Sequence, residues 1–187
     1  MKHLRILFIG NSHTYVNGVP ALVRDLAAAD GYEVDVTMIA HGGWYLWQHV
    51  QEPDVPFNIK YGHYDYVVLQ EHSHPFDSIV AYWQAMHTLV DWIREAGSTP
   101  VLYGTWSQKA EPFMQERMNA FNRELVRDTG AVYAGVGESW WAYMQSRPDV
   151  DLYYEDGAHA SPEGSAYAAH VIWEAIRQDA AEKPGLA

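Results

Sequence analysis

Short apolar runs alternate along this chain with longer segments in which apolar residues recur every three or four positions. Runs of the first kind suit strands buried on both faces, and segments of the second kind suit helices that lay one stripe on a sheet. Strands are predicted at residues 5–9, 33–39, 66–70, 100–103 and 131–133. A first helix starts near Pro20, carries Val19, Leu22, Val23 and Leu26 on one face, and stops at Gly31. Ile79, Trp83, Met86, Leu89, Val90 and Ile93 form a second stripe ending at Gly97, and Phe113, Met118, Phe121, Leu125 and Val126 a third ending at Gly130. The last helix takes Ser161 as N-cap and Pro162 in its first turn, then runs through Tyr167, Val171 and Trp173 towards Ala181. The pattern is that of an α/β protein with a parallel sheet and helices on both faces.

With 187 residues, 48% of them hydrophobic, the chain can bury one sizeable core, so a single domain over residues 1–187 is expected, with residues 182–187 a frayed tail. Twenty-four acidic against twelve basic residues give a net charge of −12. Without a basic patch, that charge argues against nucleic acid or an anionic membrane surface as a partner. No cysteine is present, which excludes disulfides and thiolate metal sites. The apolar run that follows Lys2 is short and passes straight into Gly10-Asn11-Ser12-His13-Thr14, so it reads as a first strand rather than a signal peptide. No apolar stretch approaches the roughly 20 residues of a membrane-spanning helix. A soluble, cytoplasmic protein is the expectation.

In open α/β sheets, reactive groups gather where strands end and helices begin. Ser12 stands at such a place, after a glycine that permits a tight exit from the strand. Far along the chain, Asp156 and His159 lie three residues apart and can share one turn. A hydroxyl nucleophile needs a base within hydrogen-bond reach and a carboxylate to orient that base. Taken singly, each group has an ordinary alternative: Asn11, Ser12 and Thr14 as a polar turn or cap, Asp156-Gly157 as a turn dipeptide, His159 as a capping or surface residue. The conjunction of the two segments at opposite ends of the chain points to a triad.

These residues resemble the SGNH, or GDSL-like, hydrolases. Gly10-Asn11-Ser12-His13-Thr14 matches the family's first block, with Asn11 where many members carry aspartate, and Asp156-Gly157-Ala158-His159 matches its closing Asp-x-x-His. The resemblance covers the whole chain and implies a three-layer flavodoxin-like sandwich of about five parallel strands in the order 2-1-3-4-5. It also implies Ser12 as nucleophile, His159 as general base and then acid, and Asp156 as the orienting carboxylate. The N–H groups of Ser12 and of Gly43, with Gly42 in reserve, would bind the oxyanion, although two adjacent glycines equally suit a sharp turn. The family's third block, Gly-x-Asn-Asp, is absent, and Val68-Leu69-Gln70-Glu71-His72-Ser73-His74 stands in its place. The Gln70 amide is the expected substitute donor, against the alternative of a buried amide satisfied by neighbouring backbone. A subset of SGNH-like proteins is similar in pairing a Gly-Asn-Ser start with Leu-Gln after the third strand.

The expected activity is therefore hydrolysis of a small ester through an acyl-serine, without cofactor or metal. Tyr15, Trp44, Tyr45 and Trp106 are expected around the cleft, and their rings would suit an acyl or acetyl ester of a carbohydrate. Two other functions compete: a metal-dependent hydrolase built on His72 and His74, and a catalytically silent domain that binds a glycan or a partner.

Overall fold

A computed structural model describes residues 2–183. The chain runs β1 (Lys2–Gly10), α1 (Ser12–Tyr15), a 3₁₀ turn (Val16–Gly18), α2 (Val19–Ala29) and β2 (Tyr32–Ala40), then α3 (Leu46–Gln51), α4 (Asp54–Tyr61) and β3 (Tyr66–Leu69). It continues through α5 (Ile79–Glu95), β4 (Thr99–Gly104), α6 (Met114–Thr129), β5 (Val132–Gly135), α7 (Val136–Ser146) and α8 (Pro162–Glu182). The five strands form one sheet in the order β2-β1-β3-β4-β5, every pairing parallel, as the resemblance implies.

Side-chain alternation along the central strands divides the core into two layers. Leu4, Ile6 and Phe8 of β1, Tyr66 and Val68 of β3, and Val101 and Tyr103 of β4 face α2, α7 and α8. Leu7, Ile9, Val67, Leu69 and Leu102 face the other way, onto α3, α4, α5 and α6. Each central strand is therefore apolar on both faces through its buried stretch, residues 6–9 of β1, 66–69 of β3 and 100–103 of β4, which is why it reads as a continuous run rather than an alternating one.

Four helices are not marked by the hydrophobic pattern as segments of their own, the single turn α1 among them. α3 and α4 are only six and eight residues long and bury two residues each, Leu46 with His49 and Val55 with Ile59. α7 follows β5 without a loop, so no turn residues announce it. β3 ends at Leu69, one residue before the expected limit, although the Gln70 N–H still donates to Ile9 O. Ordered structure also extends past the expected start of the tail: α8 includes Glu182, and Lys183 Nζ reaches Asp179 Oδ2 at 2.7 Å and Thr99 Oγ1 at 2.9 Å. The remainder of that expected tail, 184–187, lies outside the described residues. Among the described residues, no helix is long and apolar enough to cross a membrane.

Candidate active site

Ser12 opens α1 just after the end of β1, next to the point between β1 and β3 where the strand order reverses. Asn11 is the N-cap, and its side-chain oxygen accepts from His13 N at 3.1 Å while its amide donates to Trp44 O at 2.9 Å. One residue thus fixes the nucleophile turn and ties it to the loop after β2. Gly10 admits no side chain: a Cβ there would lie 2.5 Å from both Gln70 Oε1 and Thr14 Oγ1.

From the other end of the chain, residues 153–160 form a loop closed by an antiparallel bridge between Tyr153 and Ala160. Asp156 Oδ1 accepts from the N–H groups of Ala158 and His159, both at 2.9 Å, which wraps the backbone around the carboxylate. The His159 Nδ1–H donates to Asp156 Oδ2 at 2.6 Å, and Ser12 Oγ donates to His159 Nε2 at 2.8 Å. Residues 147 positions apart in sequence are thereby joined into one hydrogen-bonded chain. Burial is the largest single influence on the Asp156 carboxyl and pushes its pKa up. The ring and two backbone donors together outweigh burial and hold it at about 2. Asp156 is therefore ionised at neutral pH and holds the His159 ring in place.

Gly43 adopts φ +72° in the loop after β2, where a β-carbon would be strained, and Tyr15 Oη stands close to the neighbouring Gly42. The same loop is fastened to the nucleophile segment one residue further on, where Trp44 O accepts from the Asn11 amide at 2.9 Å. Gln70 takes a different part from the one expected. It is 1% exposed, its Oε1 accepts from Asn11 N and Thr14 Oγ1, both at 2.9 Å, and its Nε2 donates to Glu71 O at 2.5 Å. The amide is committed to bracing the Gly10-Asn11 turn, so the oxyanion role for Gln70 is withdrawn.

The aromatic residues separate into two groups. Tyr15 is exposed, Trp44 rests on His41 with ring centroids 4.1 Å apart, and Tyr45 stacks on His72 at 4.2 Å, so these three remain at the surface around the loop after β2. Trp106 does not belong with them. It is fully buried, lies flat on Trp140 at 3.9 Å and 5°, and donates from Nε1 to Ala158 O at 2.9 Å. The expectation that Trp106 contacts substrate is corrected to an interior position beneath the Asp156–His159 turn.

His72 and His74 do not converge. His72 stacks on Tyr45, whereas the His74 ring lies 5.1 Å from His13, and His13 in turn lies 5.2 Å from His159. Among the described residues no group of three or more His, Cys, Asp or Glu is arranged to hold a metal ion, so the metal-hydrolase alternative lacks its ligand set. Burial lowers the pKa of both packed imidazoles, that of His74 to about 4 and that of His13 well below its usual value, with neighbouring histidines adding to the effect. Both rings are neutral beside the triad. This pair is not marked in the sequence, because a histidine next to a candidate nucleophile has no distinguishing spacing. A groove of about 680 Å³ between α7 and α8, lined among others by Tyr143, Arg147, Glu163, Tyr167 and His170, contains no member of the triad.

A protein from Slackia heliotrinireducens assigned to the SGNH hydrolases is 31% identical to this chain, with a TM-score of 0.77 over 93% of this chain and 99% of its own. The chain belongs to the SGNH hydrolase superfamily. The same fold is shared with a DUF4886 family protein from Bacteroides uniformis, 19% identical with a TM-score of 0.78 over 94% of this chain and 83% of that one. It is shared too with a carbohydrate esterase family 3 protein from Talaromyces cellulolyticus, 13% identical with a TM-score of 0.75 over 96% and 99%. No protein-family model matches the chain, and no curated protein matches it.

Proposed function

We propose that the protein is a serine esterase that hydrolyses a short acyl ester, in the first instance an acetyl ester of a carbohydrate. The observation that carries the proposal is the continuous chain from Ser12 Oγ to His159 Nε2 at 2.8 Å and from His159 Nδ1 to Asp156 Oδ2 at 2.6 Å. In this role Ser12 attacks the ester carbonyl as His159 takes its proton, and ionised Asp156 stabilises the imidazolium that forms. The Ser12 and Gly43 N–H groups face the tetrahedral oxyanion. Its collapse expels the alcohol, protonated by His159, and leaves an acyl-serine. Water activated by His159 then releases the acid and restores Ser12.

The substrate class is supported by the surroundings of the triad. Imidazoles of His13 and His74 pack beside it, polar rings that do not form the apolar channel a long acyl chain would need. Tyr15, Trp44 and Tyr45 offer ring faces suited to a sugar. Structural neighbours include an acetyl xylan esterase, an acetyl esterase and the family 3 carbohydrate esterase, and their names are consistent with this choice.

A fluorophosphonate probe followed by peptide mass spectrometry tests the proposal. The adduct is expected on Ser12, and Ser12→Ala is expected to abolish both the adduct and the hydrolysis of aryl acetates and acetylated sugars while the protein stays folded. Folded wild-type protein that neither takes the probe nor turns over any of these esters would leave a binding domain in place of an enzyme.

A further inference from the structure

We infer that Trp106 is a positioning residue that sets the spacing between Ser12 and His159 by holding both halves of the triad against one rigid indole. The inference rests on the esterase proposal for its kinetic consequences, but its geometry stands on separate contacts. Trp106 lies just beyond β4, on neither of the segments that carry Ser12, Asp156 and His159. Its Nε1–H donates to Ala158 O at 2.9 Å, and the Ala158 N–H donates to Asp156 Oδ1 at 2.9 Å. The peptide units of one residue are thus shared between Trp106 and the carboxylate that orients the base.

The opposite half is reached through the ring. The Trp106 indole lies 5.1 Å from the His13 imidazole, and His13 follows Ser12 directly in α1. Tyr103 Oη from the same strand end donates to His13 O at 3.3 Å. The indole cannot yield, because Trp140 stacks parallel on it at 3.9 Å and both rings are fully buried. Lys109, on the loop that follows Trp106, donates its N–H to Gly157 O at 2.8 Å, so the loop after β4 grips the Asp156–His159 turn at two successive carbonyls. The turn is otherwise tied to the nucleophile side by Asn17, whose amide donates to Ala160 O at 3.2 Å and Ser165 Oγ at 2.9 Å.

Loss of the indole N–H would leave the Ala158 carbonyl free to drift and carry His159 away from Ser12. A misplacement of about 1 Å in such a site lowers the rate by up to about 10²-fold without altering substrate contacts. Two replacements isolate the N–H: Trp106→Phe, and Trp106 replaced by β-(3-benzothienyl)alanine, which keeps the shape of the indole and lacks only the donor. Trp173→Phe is the control, because Trp173 is also buried and also donates from Nε1, to Asp30 Oδ2 at 2.7 Å, near the C-terminus of α2 and away from the triad. For both Trp106 replacements kcat on an aryl acetate is expected to fall about tenfold or more with KM within about twofold, while Trp173→Phe lowers thermal stability and leaves kcat unchanged. The downfield Nδ1 proton of His159, followed by NMR without substrate, is expected to shift or broaden in the Trp106 proteins alone.

Folded Trp106 variants with wild-type kcat and an unmoved His159 proton would overturn the inference, as would a rise in KM alone, which would make Trp106 a substrate contact. Wild-type protein without turnover or a Ser12 adduct would instead defeat the esterase proposal, and the His159 resonance would still decide the role of Trp106.

Discussion

At the scale of single residues, the segment around Ser12 is held by the buried polar side chains of Asn11, Thr14 and Gln70. Gln70 accepts two donors from the nucleophile segment, Asn11 N and Thr14 Oγ1, and returns one bond to Glu71 O. A buried donor left without a partner costs about 1–3 kcal/mol, whereas a paired one contributes about 1 kcal/mol net. Gln70→Leu keeps the approximate volume and strands the Asn11 N–H, so a loss of about 3 kcal/mol in urea unfolding is expected. Stability equal to wild type, with kcat lowered roughly 10²-fold, would restore Gln70 to the oxyanion hole from which its hydrogen bonds remove it. The contrast with Gly10 is instructive. There the same crowding excludes a side chain altogether, so glycine and glutamine at neighbouring strand ends are two requirements of one close contact.

At the scale of elements, the start of α8 is tied to the turn that carries His159. Ser161 accepts the Gly164 N–H on its hydroxyl at 3.1 Å and donates to Asp151 O at 2.9 Å, so the N-cap ties the helix start to the chain entering the Asp156–His159 turn. Ser161→Ala is expected to cost about 1–2 kcal/mol in chemical denaturation. A change below a few tenths would mean that Pro162 alone fixes the helix start. This cap, the five strands and helices α2, α5, α6 and α8 were legible in the sequence, because strong periodicity, capping residues and terminal glycines are local signals. That Ser12, Asp156 and His159 would come together was legible because two short motifs sit at the strand and helix ends where α/β chemistry collects. What stayed hidden depends on contacts between distant segments. Nothing local in Trp106 separates a surface ring from an indole clamped on Trp140, and nothing local in Gln70 tells which donors its carbonyl will meet.

At the scale of the whole molecule, buried titratable groups on one loop give stability two opposed dependences on pH. Burial raises the Glu71 carboxyl to about 7, against the pull of the Leu46 and His72 N–H groups that it accepts. The folded state then holds a proton that the unfolded chain has released, so this contribution is complete below about pH 4.5 and is lost as pH rises through 7. Burial lowers His74 to about 4 and moves His13 the same way. For both rings the unfolded chain binds the proton first; the His74 contribution is complete above about pH 6.5 and is lost as pH falls through 4, and His13 acts in the same direction. Between about pH 4.5 and 6.5 the two slopes oppose each other, each worth on the order of 1–3 kcal/mol across its window. Repulsion within a chain of net charge −12 is common to every variant, so differences in slope isolate the buried groups. Urea unfolding across this range is expected to give a stability that falls more steeply with rising pH in His74→Phe than in wild type, and one that rises in Glu71→Gln relative to wild type. Glu71→Gln also weakens one of two backbone hydrogen bonds and lowers the whole curve, so the slope is the measurement that matters. Three parallel curves would mean that both side chains titrate with solvent-like values, and that burial does not keep the imidazoles of His13 and His74 neutral.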